Sequence, residues 1–373
     1  MYNGEYMTGL ELFLFILTVL GVALVVTLLQ IVVYKKEQWW VILISFVIKA
    51  ALLFCCALLS VAIDTILAWK LSWLTIGVYL VLLGDAVADL IALLYILFKK
   101  KPMNTIVRSV LCILMSIIVM TYGIINMQIV SPREHTYESE KLQHEYTGVF
   151  MADLHVGTAQ SYKSAQKAFD EIKELNPDFI LLGGDITDEY SDKEDMEWVY
   201  KQIGEIGVPT YFVYGNHDRQ AKADHLGKGY AYTEAELEET ITKNGIIILK
   251  DSFVEFSDDL VLMGREDITV ETRLKTEDIP ARPEGKFVFN VDHSPYNDDD
   301  IIATKADLQF SGHSHAGQFF PLCVDTPFAN HIYGDYVIGD TQLYVSSGFA
   351  GWAAPSRTSV FCNYEVINLK PKA

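Results

Sequence analysis

Phe179-Ile180-Leu181-Leu182-Gly183-Gly184-Asp185-Ile186-Thr187-Asp188 decides how this chain is read. The apolar run predicts a short buried strand. Two glycines then let the backbone turn tightly and approach whatever the Asp185 carboxylate holds. The same arrangement recurs on both sides. Upstream, Gly148 to Ala152 predicts a strand ending in Asp153-Leu154-His155, and in extended chain residues i and i+2 face the same way. Downstream, Thr210 to Tyr214 runs into Gly215-Asn216-His217-Asp218, residues 286–291 into Asp292-His293-Ser294-Pro295, and Leu308 to Ser311 into Gly312-His313-Ser314-His315. Helical spacing predicts helices near 161–175, 191–205 and 233–243, and further strands near 245–249, 253–256, 260–263, 342–346 and 359–367. Strand and helix alternate as in a layered α/β domain. Each Asp/His/Asn cluster follows a strand, where functional loops gather on one sheet edge.

Collected, the candidate ligands are Asp153, His155, Asp185, Asn216, His293, His313 and His315. Carboxylate, imidazole and amide oxygen together suit Mn, Fe, Zn or Co better than a thiolate site or an all-oxygen cage. Seven ligands exceed one ion's needs and fit two ions sharing Asp185. Such a pair can hold a bridging hydroxide and stabilise charge on a phosphoryl group. His217 is the imidazole left over, positioned to protonate a leaving oxygen, with Asp218 to orient it. Each motif alone has an ordinary explanation as a turn or a surface histidine; all of them in this order, each after a strand, do not.

The chain of 373 residues is 51% hydrophobic with mean hydropathy +0.21, and the excess is concentrated in residues 1–129. Lys and Arg number 8 there and 21 in the remainder; Asp and Glu number 6 and 42. The remainder thus carries a formal −21, which excludes nucleic acid as a partner contacted through its backbone. Cys55, Cys56, Cys112, Cys323 and Cys362 show neither zinc spacing nor a disulfide framework. Four stretches, about 10–34, 39–63, 71–98 and 104–129, have the length and composition of membrane spans. Glu5 and Glu11 before the first one argue against a signal peptide. Lys35, Lys36, Lys99, Lys100, Lys101 and Arg108 place the first and third loops in the cytoplasm, and both termini with the C-terminal domain outside. Lys49, Asp85 and Asp89 inside the spans read first as a bundle ion pair, with a headgroup or ion site as the alternative, and Gly84 would allow close helix approach. Residues 130–147, polar and mixed in charge, read as a linker, with His135 and His144 as non-ligands.

The ordered set Asp153-Leu154-His155, Gly184-Asp185-Ile186-Thr187-Asp188, Gly215-Asn216-His217-Asp218, His293 and Gly312-His313-Ser314-His315 resembles the calcineurin-like metallophosphoesterase superfamily across about 148–370. The resemblance implies an α/β fold, a two-sheet β-sandwich flanked by helices, over 148–373. Here it would follow the four-helix transmembrane region. It assigns Asp153, His155, Asp185 and His315 to one divalent ion and Asp185, Asn216, His293 and His313 to the other, with Mn the leading metal. Within the superfamily, Gly312-His313-Ser314-His315-Ala316-Gly317-Gln318 is similar to the membrane-associated branch with YkuE-type phosphodiesterases and transmembrane proteins with a metallophosphoesterase domain, Ala316 standing where that branch has glycine. Arg357 matches a recurring arginine and is a candidate for phosphate, with Arg219 and Arg265 behind it.

The expectation is a membrane-anchored, metal-dependent phosphoric ester hydrolase acting at the extracytoplasmic face of the cell membrane by attack of a metal-bridging hydroxide. A proton available from His217 tilts it toward diesters, including a lipid headgroup or a lipid-linked nucleotide. The alternatives are a phosphomonoesterase, a non-catalytic membrane sensor or scaffold with a metal-binding domain, and a transporter regulated by that domain.

Overall fold

The computed structural model describes residues 42–43, 47, 70–158, 160–221, 223, 229–319, 331–352 and 356–372. Two long helices come first, α1 (Lys70–Lys99) and α2 (Thr105–Met127). Asn104 caps α2, its side chain accepting from Ile106 and Val107 N–H. The expected four-helix transmembrane region is corrected here: among the described residues two helical stretches, Tyr79–Lys99 and Thr105–Met127, are long and apolar enough to cross a membrane. The expected spans 10–34 and 39–63 lie outside the described residues apart from 42, 43 and 47, as does Lys49. The helix pair has its polar groups inside. Asp85, Asp89, Arg108 and Ser116 are buried, whereas Leu90, Leu94, Leu97, Val107, Val110 and Leu114 are exposed. Arg108, read from the sequence as a loop charge, is the partner of Asp89, with Nε 3.1 Å from Oδ1. A Cβ on Gly84 would lie 2.5 Å from the Ser116 backbone, so only glycine permits this approach of α1 to α2.

Residues 130–147, expected as a linker, carry instead the edge strand β1 (Val130–Ser139). Its side chains alternate between partly buried and exposed positions, and most of them on either side are polar, so the stretch has a linker's composition. His135 is half of a buried pair with Glu365, 2.8 Å away.

Two six-stranded mixed sheets follow. The first has the order β1, β12 (Cys362–Pro371), β2 (Tyr146–Met151), β3 (Phe179–Leu182), β4 (Thr210–Phe212), β5 (Ile246–Ile248). The second has the order β10 (Gly334–Ile338), β11 (Thr341–Val345), β9 (Leu308–Ser311), β8 (Phe287–Val291), β7 (Leu260–Gly264), β6 (Ser252–Glu255). Strands β2 to β5 run parallel, as do β7, β8, β9 and β11.

Between the sheets lies an aromatic layer with Phe150, Phe179, Phe289 and Phe310, in which the Phe150 and Phe310 rings meet edge to face at 5.4 Å. The opposite faces of β2 and β3 (Val149, Met151, Ile180, Leu182) pack on α3 (Tyr162–Leu175) and α4 (Lys193–Gly204). Both faces of these strands are therefore buried, which explains their unbroken apolar sequence. Helices α5 (Glu234–Lys243) and α6 (Asp298–Thr304) complete the fold. Sequence patterning missed α6 and β10. Asn297 caps α6 and three aspartates fill its first turn, a composition read as an acidic loop.

Candidate metal centre

The parallel strands deliver their C-terminal ends to one edge of the sandwich, and the loops there hold the candidate ligands. Their backbone is unusual. Asp153, His155, Asp185, His313 and His315 all have positive φ, between 44° and 72°. Non-glycine residues in this region cost on the order of 1–3 kcal/mol each and persist only where surrounding structure imposes them. Gly184 (φ 85°) is required in addition, since a Cβ would meet the Gly215 backbone nitrogen at 2.4 Å. Ala316 also takes φ 48°, a conformation that costs glycine nothing.

Two clusters result, Asp153 with His155 and His315, and Asp185 with His293 and His313; within each, the donor atoms lie within 4.8 Å of one another. They meet at one oxygen. Asp185 Oδ2 is 3.1 Å from His293 Nε2 and 3.8 Å from His155 Nε2, while Oδ1 accepts the His217 N–H at 2.8 Å. His293 places Nδ1 on the Gly183 carbonyl (2.8 Å) and His315 places Nδ1 on the Ala350 carbonyl (3.2 Å), which leaves Nε2 of each for the site. The His155 Nδ1 faces the buried Asp188 carboxylate at 3.2 Å, and Thr158 donates to the same carboxylate. His313 turns its Nδ1 inward, 3.1 Å from His293 Nε2.

Burial opposes charge on Asp185, yet His293 and His217 outweigh it and hold its carboxyl well below the usual range. Asp153, equally buried and facing the Asp185 charge, is pushed up. Burial pushes His315 well down, and neighbouring His155 adds to this. Oδ1 of Asn216 and Nε2 of His155 are buried without a hydrogen-bond partner. Buried polar atoms are normally satisfied, and these two belong to the candidate ligand set. Divalent cations would satisfy the orphaned atoms and the crowded carboxylates and imidazoles together, so the residues fit two such ions.

His217 lies beside this set, its ring stacked on Trp352 with centroids 5.1 Å apart. The carboxylate on its Nδ1 is Glu189, at 2.7 Å, and not the expected Asp218. Asp218 is fully buried and accepts backbone N–H from Asp185, Ile186, Thr187 and Gly215 at 2.7–3.2 Å. It clamps the β3 and β4 loops together. Glu189 escaped the sequence reading because it stands one residue beyond the Gly-Asp-x-x-Asp spacing, and Trp352 because nothing in its surroundings marks it.

The three candidate phosphate arginines are all committed elsewhere. Arg357 is fully buried, its guanidinium donating to the carbonyls of Ala350 (2.9 Å), His315 (2.8 Å) and Ser347. Its backbone is tied to α2, the N–H donating to Gly123 O (2.9 Å) and the carbonyl accepting from Asn126 (3.0 Å). Arg219 makes a two-pronged pair with Glu266 and also bonds Glu234. Arg265 faces Asp251 and Asp300.

Residues 148–317 match the family model described as calcineurin-like phosphoesterase. An uncharacterized metallophosphoesterase of Helicobacter pylori (strain J99) is 27% identical over 238 residues, covering 62% of this chain and 62% of its own. A transmembrane protein with metallophosphoesterase domain from Danio rerio is 25% identical over 294 residues, 70% of this chain and 62% of its own. The phosphodiesterase YaeI of Escherichia coli (strain K12) is 26% identical over 212 residues, 54% of this chain and 73% of its own. The matched region thus spans less than two thirds of the Helicobacter and Danio proteins. Residues 148–317 are thus similar to calcineurin-like phosphoesterases, and the two candidate metal-binding clusters lie within them.

Proposed function

We propose that the chain is a membrane-associated two-metal phosphoesterase that hydrolyses a phosphodiester at the extracytoplasmic face. The observation that carries the reading is Asp185 Oδ2, which faces His293 of one cluster and His155 of the other. Asp153, His155 and His315 would hold one ion and Asn216, His293 and His313 the other, with Asp185 shared; Mn suits this donor set, as do Fe, Zn and Co. When bound, two such ions supply an activated water and neutralise charge on the phosphoryl group.

The chain's own residues do the rest. Glu189 holds the His217 ring by its Nδ1. Trp352 covers one ring face. Nε2 is then the atom that gives a proton to a leaving or phosphoryl oxygen. A diester uses that proton best, because its leaving oxygen carries a second group, and the name of the Escherichia coli relative points the same way. The loop sequence Gly312 to Gln318 supports the YkuE-type, membrane-associated branch.

Membrane association rests on the helix pair. Its ion pair is inside and its aliphatic side chains are outside, the distribution a bilayer favours. Lys99, Lys100 and Lys101 between the helices favour a cytoplasmic loop, so α2 would lead the domain to the opposite side. A lipid headgroup or lipid-linked nucleotide is the substrate class this location favours.

The test is hydrolysis of bis(p-nitrophenyl) phosphate beside p-nitrophenyl phosphate by the full chain in detergent, loaded with Mn, with Asp185→Asn as control. Diester turnover that falls at least about a hundred-fold in the variant is expected, consistent with the several kcal/mol that such ions contribute. Turnover of the monoester alone would replace the diesterase reading with a monoesterase. A chain holding two ions that turns over neither ester would leave the non-catalytic sensor.

A further inference from the structure

A second cavity, of about 830 Å³, opens between the segment joining β7 to β8 and helix α6. Its volume is that of a small-molecule site. Its lining is at odds with the domain. Residues 130–373 hold 21 basic side chains against 42 acidic ones, yet five of the 21 (Arg265, Arg273, Lys275, Arg282 and Lys305) line this one cavity. Three carboxylates share the lining, Glu277, Asp299 and Asp300, and Asp300 is already engaged by Arg265 and Arg273.

The cations fall into two groups. Arg265 and Arg273 are anchored on Asp251, Asp292 and Asp300, but Arg265 is 1% exposed and its Nε is buried with no hydrogen-bond partner. Lys275, Arg282 and Lys305 form no ion pair among the described residues. Among the described residues the half-buried Arg282 guanidinium has only the Met263 sulfur as acceptor, at 2.9 Å. Burial without a carboxylate within ion-pair distance pushes its pKa below the ordinary value. Leaving buried guanidinium donors without oxygen acceptors is unfavourable, and an anion would relieve it. Thr276 and Asn297 add polar groups to the wall, and Ile268, Val270, Leu274, Ile279 and Pro280 give it an apolar side, with Ile268 and Leu274 about two-fifths exposed.

We propose that this cavity is a binding site for an organic anion, a phosphate, sulfonate or carboxylate head on an apolar body, held by Arg282, Lys275 and Lys305 with the body against Ile268, Leu274 and Ile279. The site is separate from the two histidine clusters but connected to them. Arg273, in its wall, binds the Asp292 carboxylate at 2.6 Å, and Asp292 immediately precedes His293. The same head and body could belong to the far end of the hydrolysed ester or to an independent effector. The site's existence rests on neither the hydrolysis nor the metals.

The probe is 1-naphthalenesulfonate, which is fluorescent and cannot be hydrolysed as a phosphoester, titrated into the full chain in detergent and followed by anisotropy. One saturable site per chain is expected, weakened about ten-fold by Arg282→Gln and further by Lys275→Ala with Lys305→Ala, as loss of charge-assisted contacts requires. Asp185→Asn should leave the affinity unchanged. These three cations make no ion pairs among the described residues, so melting temperatures should hold; Arg282→Lys keeps the charge and should restore much of the binding. Binding that is non-saturable, or equal in wild type and the triple variant, overturns the proposal. Competition between the probe and a hydrolysed diester would assign the site to the substrate's far end, and binding without competition would assign it to an effector.

Discussion

Arg357→Lys separates two roles for a residue that the sequence singles out as a phosphate contact. In the structure its guanidinium serves three backbone carbonyls, one of them on His315 and another on Ala350, which also receives the His315 imidazole. Lysine keeps the charge but cannot reach all three from one nitrogen. Nη2 alone serves His315 and Ser347, so a single nitrogen in its place leaves the Ala350 carbonyl without its charged donor, at a cost of about 1.5–3 kcal/mol per hydrogen bond to a charged group. That is a large share of the 5–15 kcal/mol typical of a domain. The His315 loop should loosen with it. We expect a lower urea midpoint and ion binding weakened on the order of 10–100-fold, the usual consequence of losing a group that orients a ligand. KM for a diester should be unchanged once metal is saturating. A stable variant with normal metal affinity and a raised KM would show that Arg357 faces phosphate and that this reasoning is wrong.

Glu189→Gln leaves the candidate ligands alone and removes the carboxylate from His217. Metal content should be unchanged while turnover falls about 10–100-fold, the range for a group that orients a functional histidine; an unaltered rate would remove His217 from proton transfer. Asp218→Ala deprives four buried N–H groups of their acceptor, so destabilisation of several kcal/mol, at about 1–3 kcal/mol per unsatisfied group, should appear in urea unfolding. A fully stable, merely slow variant would return Asp218 to a catalytic role.

Asp195 offers a pH test away from the site. Burial pushes its carboxyl up from 3.8 to about 6, outweighing the N–H of Asp192. The folded state therefore favours the proton, so this stabilisation is complete below about pH 4 and is lost as pH rises through 6. Across that window the loss is on the order of 3 kcal/mol, from 1.36 kcal/mol per pKa unit. Asp195→Asn should flatten stability between pH 4 and 6.5, and an identical slope in the variant would assign the dependence elsewhere.

Much of the site was legible because its ligands sit at fixed offsets from strand ends. An apolar run, one or two glycines and a polar cluster mark such a place without any tertiary knowledge. What was illegible depends on where side chains go once the fold exists. Nothing local distinguishes an arginine bound to phosphate from Arg357 buried on carbonyls, or tells that Glu189 and not Asp218 reaches His217. Strand β1 was missed because an edge strand keeps a solvent face, so its charged residues imitate a linker. Arg108 was counted as a loop charge because its pairing with Asp89 depends on how α1 packs on α2.

The central claim is that two ions share the Asp185 carboxylate. It is tested most directly by electron paramagnetic resonance of the full chain titrated with Mn(II). The account predicts two ions per chain with the coupled spectrum of a close pair, reduced in Asp185→Asn to the signal of isolated ions. A single ion at saturation, or two uncoupled ions in the unaltered chain, would contradict it.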